Sequence, residues 1–119
     1  MHVAIIRGDL NKFYEKLKDF DVNHRNSEGK SPLFLCIEHG HIEMFRELFK
    51  RFKGQIEMRS KDRSGNTALH IACKHQNLEA AKAIFDLEPE LCLVQNFQGR
   101  SPFFIACQRK NLELVKLFE

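Results

Sequence analysis

Tryptophan is absent from this chain, tyrosine occurs once and proline only three times. No apolar run approaches the roughly 18 residues that a membrane-spanning helix requires, which argues against membrane insertion within these 119 residues. The opening Met1-His2-Val3-Ala4-Ile5-Ile6-Arg7 lacks the basic patch and long apolar stretch of a secretion signal. Neither sign of charge dominates. Residues 1–60 hold 11 basic and 9 acidic side chains, the remainder 8 and 7, and the net charge is +3. That balance leaves no electrostatic footprint for nucleic acid. Catalytic signatures are missing too: there is no Gly-x-Ser-x-Gly elbow, no phosphate loop and no dinucleotide-binding glycine pattern. Cys-x-x-Cys pairs do not occur, so the groupings His70-Cys73-His75 and Cys36-His39-His41 fall short of a tetrahedral zinc set. On a helix His70 and Cys73 share a face while His75 points elsewhere. The expectation is no metal, no cofactor, no small-molecule substrate and no enzymatic activity.

What is present is a folded chain's composition, 43% hydrophobic and 29% charged, with eleven phenylalanines to fill a core. Within it one stretch recurs. Asn66-Thr67-Ala68-Leu69-His70-Ile71-Ala72-Cys73 has close variants in Ser31-Pro32-Leu33-Phe34-Leu35-Cys36-Ile37 and Ser101-Pro102-Phe103-Phe104-Ile105-Ala106-Cys107. Gly29, Gly65 and Gly99 precede the three copies at one fixed distance. Aligned on the small residue, the registers are Ala4, Cys36, Ala72 and Ala106, spaced by 32, 36 and 34 residues. A period of this size marks a repeat architecture.

Each register begins a helix pair. Ser31, Thr67 and Ser101 stand where an N-cap oxygen accepts from orphan backbone N–H groups, and Pro32 and Pro102 suit the first helical position. Six residues past each register comes Leu10, Ile42, Leu78 or Leu112, then Phe13, Phe45, Ala81 or Val115, then Leu17, Phe49 or Phe85. That spacing is the apolar stripe of a second helix. Asp9, Asn77 and Asn111 would cap these second helices, with His41 a poorer cap. Gly8, Gly40, Gln76 and Lys110 would take the left-handed position between paired helices, the last two at a cost of about 1 kcal/mol each. Extended connections follow, beginning at Phe20, Glu57 and Leu93, and their polar-then-glycine ends read as tight hairpins. One pair cannot bury its apolar face alone, so neighbours stack into an open solenoid. In this reading Cys36, Cys73 and Cys107 are small buried hydrophobes. Stacked equivalents lie on the order of 10 Å apart, beyond the ~7 Å Cα limit for a disulfide. An intracellular, cytoplasmic location follows, with the nucleus left open.

These residues resemble the ankyrin repeat, whose Gly-x-Thr-Pro-Leu-His and following small residues are matched by Gly65-Asn66-Thr67-Ala68-Leu69-His70-Ile71-Ala72-Cys73. Gly40-His41 and Asp21-Val22-Asn23 look like the family's turn and hairpin residues. Phe34 and Phe104 depart from it, replacing the usual histidine of the inter-repeat hydrogen bonds. The resemblance implies an all-α solenoid of stacked helix pairs joined by short β-hairpin-like loops. About four units are expected in one domain, roughly 1–25, 26–60, 61–95 and 96–119. The first and last are incomplete, as in a fragment of a longer array.

The resemblance further implies a protein-binding scaffold with a concave face made of hairpin tips and first helices. On this sequence the tip candidates are His24, Arg25, Arg59, Lys61, Arg63, Phe97 and Gln98. The first-helix candidates are Phe34, Glu38, Lys74, His75, Gln108 and Arg109. The basic members would steer an acidic segment of a partner protein. For Phe34 and Phe104 two readings stand, an exposed anchor or burial between repeats, whereas Phe97 is expected outside. Lys50-Arg51-Phe52-Lys53 reads as a solvated helix end. Leu117 and Phe118 make an apolar last helix, so the chain is expected as a monomer or in end-to-end association. A second reading is a cytosolic structural segment of a larger membrane or signalling protein.

Overall fold

The Ser/Thr-led segments become helices where their caps place them. The computed structural model describes residues 1–19, 21–52 and 54–119, with Asp19 by its backbone alone. Phe20 and Lys53 lie outside the described residues, and with them the first residue of one connection and the last of one basic cluster. Among the described residues there are eight α-helices in pairs and no strand. They are α1 (His2–Arg7), α2 (Leu10–Lys16), α3 (Pro32–Glu38), α4 (Ile42–Phe52), α5 (Ala68–Lys74), α6 (Leu78–Leu87), α7 (Pro102–Gln108) and α8 (Leu112–Phe118). A 3-10 turn extends α2 over Leu17–Asp19, and another spans Pro89–Leu93. The chain forms two compact halves, Met1–Glu57 and Met58–Glu119.

The turns inside the pairs are built as the sequence suggests. Gly8 and Gly40 take left-handed φ of 67° and 70°, and Gln76 and Lys110 accept 54° and 56° without glycine's freedom. Asp9, Asn77 and Asn111 cap α2, α6 and α8, their side chains accepting from Lys12, Ala80 and Leu114 N–H. Among the first helices, Ser101 Oγ accepts from the Phe104 N–H, and Thr67 closes a capping box with His70. Ser31 departs from expectation: no side-chain capping bond forms, and Pro32 alone marks the start of α3.

In the first half α1 packs on α2 and α3, and α3 on α4. Its core holds Ile5, Phe13, Phe45 and Leu48 with the apolar residues of α3. In the second half α5 packs on α6 and α7, and α8 lies on α6 and α7. Leu91, from the 3-10 turn, is buried where that turn lies against α5, α6 and α7. The second-helix stripe is shifted from its expected place. Leu10 and Leu112 are exposed, the latter by 71%, while Met44, Leu48, Ala80, Ile84 and Leu114 are buried. A residue directly after the cap sits on the rim of the first turn. The inward face starts two residues later, and Phe13, Phe45 and Ala81 belong to it.

The connections end in three tips of one construction, at 26–30, 62–66 and 96–100. In each, an Asx residue closes a loop through its own backbone and side chain. Asn26, Asp62 and Asn96 donate their N–H to the carbonyl four residues on, and their carbonyls accept from Gly29, Gly65 and Gly99 N–H. Their side-chain oxygens accept two further N–H groups, from residues two and four ahead, at 2.9–3.0 Å. Glycine follows because φ there is 75–78°, a region closed to most side chains.

Candidate functional site

The tips and first helices of the second half converge on a groove of about 200 Å³. His70 forms part of its lining from α5. It is fully buried, its Nδ1 accepts the Thr67 N–H at 3.0 Å, and its Nε2–H donates to the Arg100 carbonyl at 2.9 Å. Both ring nitrogens are therefore engaged, which fixes the neutral tautomer, and burial holds the pKa below the ordinary histidine value. The second and third tips are tied directly. Phe97 N–H donates to the Ser64 carbonyl at 3.1 Å, and Asn96 Nδ2 donates to Asn66 Oδ1 at 2.9 Å. A Cβ on Gly65 would stand 2.6 Å from the Phe97 ring, so only glycine fits beneath it.

Four expected residues line this groove: Lys74, Gln98, Gln108 and Arg109. Asn66, Asn96 and Arg100 join them. Sequence reasoning missed these three, although each holds a fixed position relative to a tip glycine. Arg100 also places its guanidinium 5.8 Å from the centre of the Phe104 ring. No acidic side chain lines the groove, and none among the described residues pairs with Lys74, Arg100 or Arg109.

Other candidates stand elsewhere. Arg59 is exposed and held between Glu88, at 2.9 Å, and Glu90, so its charge is offset locally. Lys61 reaches the Gln95 carbonyl at 3.3 Å. Arg63 and His75 are exposed outside the groove. Phe97 is 72% exposed, yet its ring rests against Gly65. Of the two readings for Phe34 the structure has burial: it is only 2% exposed, as every residue of α3 from Pro32 to Ile37 is buried. Phe104 takes the opposite course and is 50% exposed. Cys107, expected in the core, is exposed as well, since no helix pair packs over that face of α7. In the first half His24 and Arg25 are exposed, His2 Nε2 lies 3.3 Å from the His24 carbonyl, and Glu38 pairs with Lys30 at 2.6 Å. Among the described residues no three His, Cys, Asp or Glu side chains are placed to hold a metal ion. No helix among them is long and apolar enough to cross a membrane.

A family model, ankyrin repeats in three copies, matches residues 1–95, a span that holds the first three helix pairs and their left-handed turns at Gly8, Gly40 and Gln76. The chain belongs to the ankyrin repeat family. Ankyrin repeats are protein–protein interaction modules and generally non-catalytic. The chain is 28% identical over 113 residues to I-Kappa-B like protein C2 of Microplitis demolitor bracovirus (isolate Webb), covering 92% of this chain and 62% of that one. It is 25% identical over 128 residues to the B-cell lymphoma 3 protein homolog of Mus musculus, covering 98% and 28%. Over 62 residues it is 40% identical to the Transient receptor potential cation channel subfamily V member 6 of Rattus norvegicus, 52% of this chain and 8% of that protein. The chain thus spans less than two thirds of each of these relatives.

Proposed function

We propose that residues 1–119 act as one protein-binding domain whose principal recognition face is the groove of the second half. The observation carrying this reading is the convergence of Lys74, Gln98, Gln108 and Arg109 around one concavity. Arg63, His75 and Phe97 extend the face at its edge, and His24 and Arg25 are the corresponding candidates on the first half. Arg59 and Lys61 serve the scaffold rather than the partner. An intracellular setting is consistent with four free cysteines.

The test is capture of partner proteins on the immobilised chain, identification by mass spectrometry, and reconstitution with the purified partner. Lys74→Glu with Arg109→Glu weakens that complex about tenfold or more, near 1.4 kcal/mol. Lys82→Glu with Lys116→Glu, on the second helices, leaves it unchanged. Equal effects of the two pairs would reject the groove as the face.

The 40% identity with a stretch of a cation channel favours a second reading, a cytosolic assembly segment of a larger membrane protein. Sequence flanking this chain decides it: spanning helices beside the repeats support it, and their absence from the full-length protein refutes it.

A further inference from the structure

The groove's chemistry is narrower than a general protein-binding face requires. We infer that it takes a single carboxylate-bearing side chain from an extended acidic peptide, an inference that rests on reading the groove as the recognition face. Size comes first. At about 200 Å³ the groove is smaller than the roughly 300–1,000 Å³ pockets that bury a drug-sized molecule. It suits one side chain with its adjoining backbone.

Charge comes second. Lys74 on α5, Arg100 at the third tip and Arg109 at the end of α7 bring three cations to one concavity, with no carboxylate to neutralise them. Arg59, elsewhere in the second half, is by contrast held by two glutamates of its own chain. A guanidinium offers paired N–H donors in a plane that matches a carboxylate.

The neutral lining makes the third argument. The side chains of Gln98 and Gln108 make no hydrogen bond among the described residues, and each carboxamide both donates and accepts. Those are the groups that an extended backbone, with its alternating N–H and C=O, satisfies. His70 adds no charge, because its one N–H is already given to the Arg100 carbonyl. That bond instead holds the Arg100 backbone in place at the groove.

The test is a titration of the ¹⁵N-labelled 119-residue chain with the capped peptide acetyl-Gly-Glu-Gly-Glu-Gly-amide, its glutamine counterpart, and sodium phosphate, followed by NMR. The glutamate peptide is expected to shift the amides of Asn66, Gln98, Arg100, Gln108 and Arg109. It should bind at least about tenfold tighter than the glutamine peptide, and weaken as salt rises. Lys74→Gln and Arg109→Gln, each with an otherwise unchanged spectrum, reduce its affinity. Equal binding of the two peptides, or shifts spread to Lys12, Lys16 and Lys116, would overturn the inference. Phosphate matching the glutamate peptide would overturn the peptide requirement. A partner complex that resists Lys74→Glu with Arg109→Glu alongside a silent glutamate titration would remove the groove, whereas one that is sensitive to them alongside that silence would remove only the carboxylate.

Discussion

Helices α5 and α7 carry the same pattern 34 residues apart and meet different fates. In α5, Ala68 to Cys73 are all buried, and the third tip lies over His70, whose Nε2–H donates to the Arg100 carbonyl. In α7 only Pro102, Ile105 and Ala106 are buried, while Phe104 and Cys107, at the registers of His70 and Cys73, face outward. The helices are equally well capped, so local sequence does not explain the contrast. The cover does: a further tip and helix pair follows α5 and packs upon it, and none in this structure follows α7. In a repeat array burial is conferred by the neighbour, not by the residue.

The tip glycines sharpen that comparison most. Gly65 and Gly99 share left-handed φ of 78° and 75°, but only Gly65 lies beneath the next tip. Gly65→Ala should cost about 3 kcal/mol, combining the left-handed penalty with a clash against Phe97 and its backbone. Gly99→Ala meets open space and should cost about 1 kcal/mol. Urea denaturation measures both, and equal losses would mean that the second tip is not covered.

The next pair is His70→Ala against Phe104→Ala. Loss of His70 leaves the buried Thr67 N–H without a partner, removes one of the two hydrogen bonds to the Arg100 carbonyl and empties a fully buried site, and should cost about 2–3 kcal/mol. Loss of the half-exposed Phe104 ring should cost about 1 kcal/mol or less.

A smaller effect is set by pH. His70 titrates below its unfolded value near 6.5, so the unfolded chain binds more protons in the interval between the two. Stability contributed by this group is complete above about pH 6.5 and is lost as pH falls through the folded pKa, at up to about 1.4 kcal/mol per pH unit. His70→Phe, which copies the residue at 34 and 104, should remove its part of that slope, leaving the part from His2, whose pKa is also lowered by burial. Smallest are the caps: Asn77→Ala and Asn111→Ala should each cost about 1 kcal/mol, since each removes one capping bond of the same kind, and Asn111 gives up only an exposed 3.3 Å bond to Gln76 besides.

The helix pairs were legible because their signals are local. Proline at a helix start, Asx at a cap and a left-handed residue between helices act within four residues, and the structure places each nearly where the sequence marks it. Ser31 is the exception. The tips were legible only by their glycines. The Asx residue three positions earlier organises every bond in them, and Asn26, Asp62 and Asn96 could have been read from that spacing. The groove is less legible, because residues 66, 74, 96–100 and 108–109 meet only after stacking. Arg59 could not be read as paired, since its glutamates lie 29 and 31 residues away. Phe34 and Phe104 are one residue type at one register, and only the structure separates the buried ring from the open one.

The cysteines test the role of cover most directly, since Cys73 and Cys107 occupy the same register of α5 and α7. Burial pushes the Cys73 thiol up to about 12 and raises that of Cys36 as well, while Cys107 stands in solvent. Timed alkylation of the native chain at neutral pH, read by mass spectrometry, should label Cys107 first, half-buried Cys92 later, and Cys36 and Cys73 only on unfolding. Labelling of Cys73 as fast as Cys107 would contradict the covered α5 on which the groove is built.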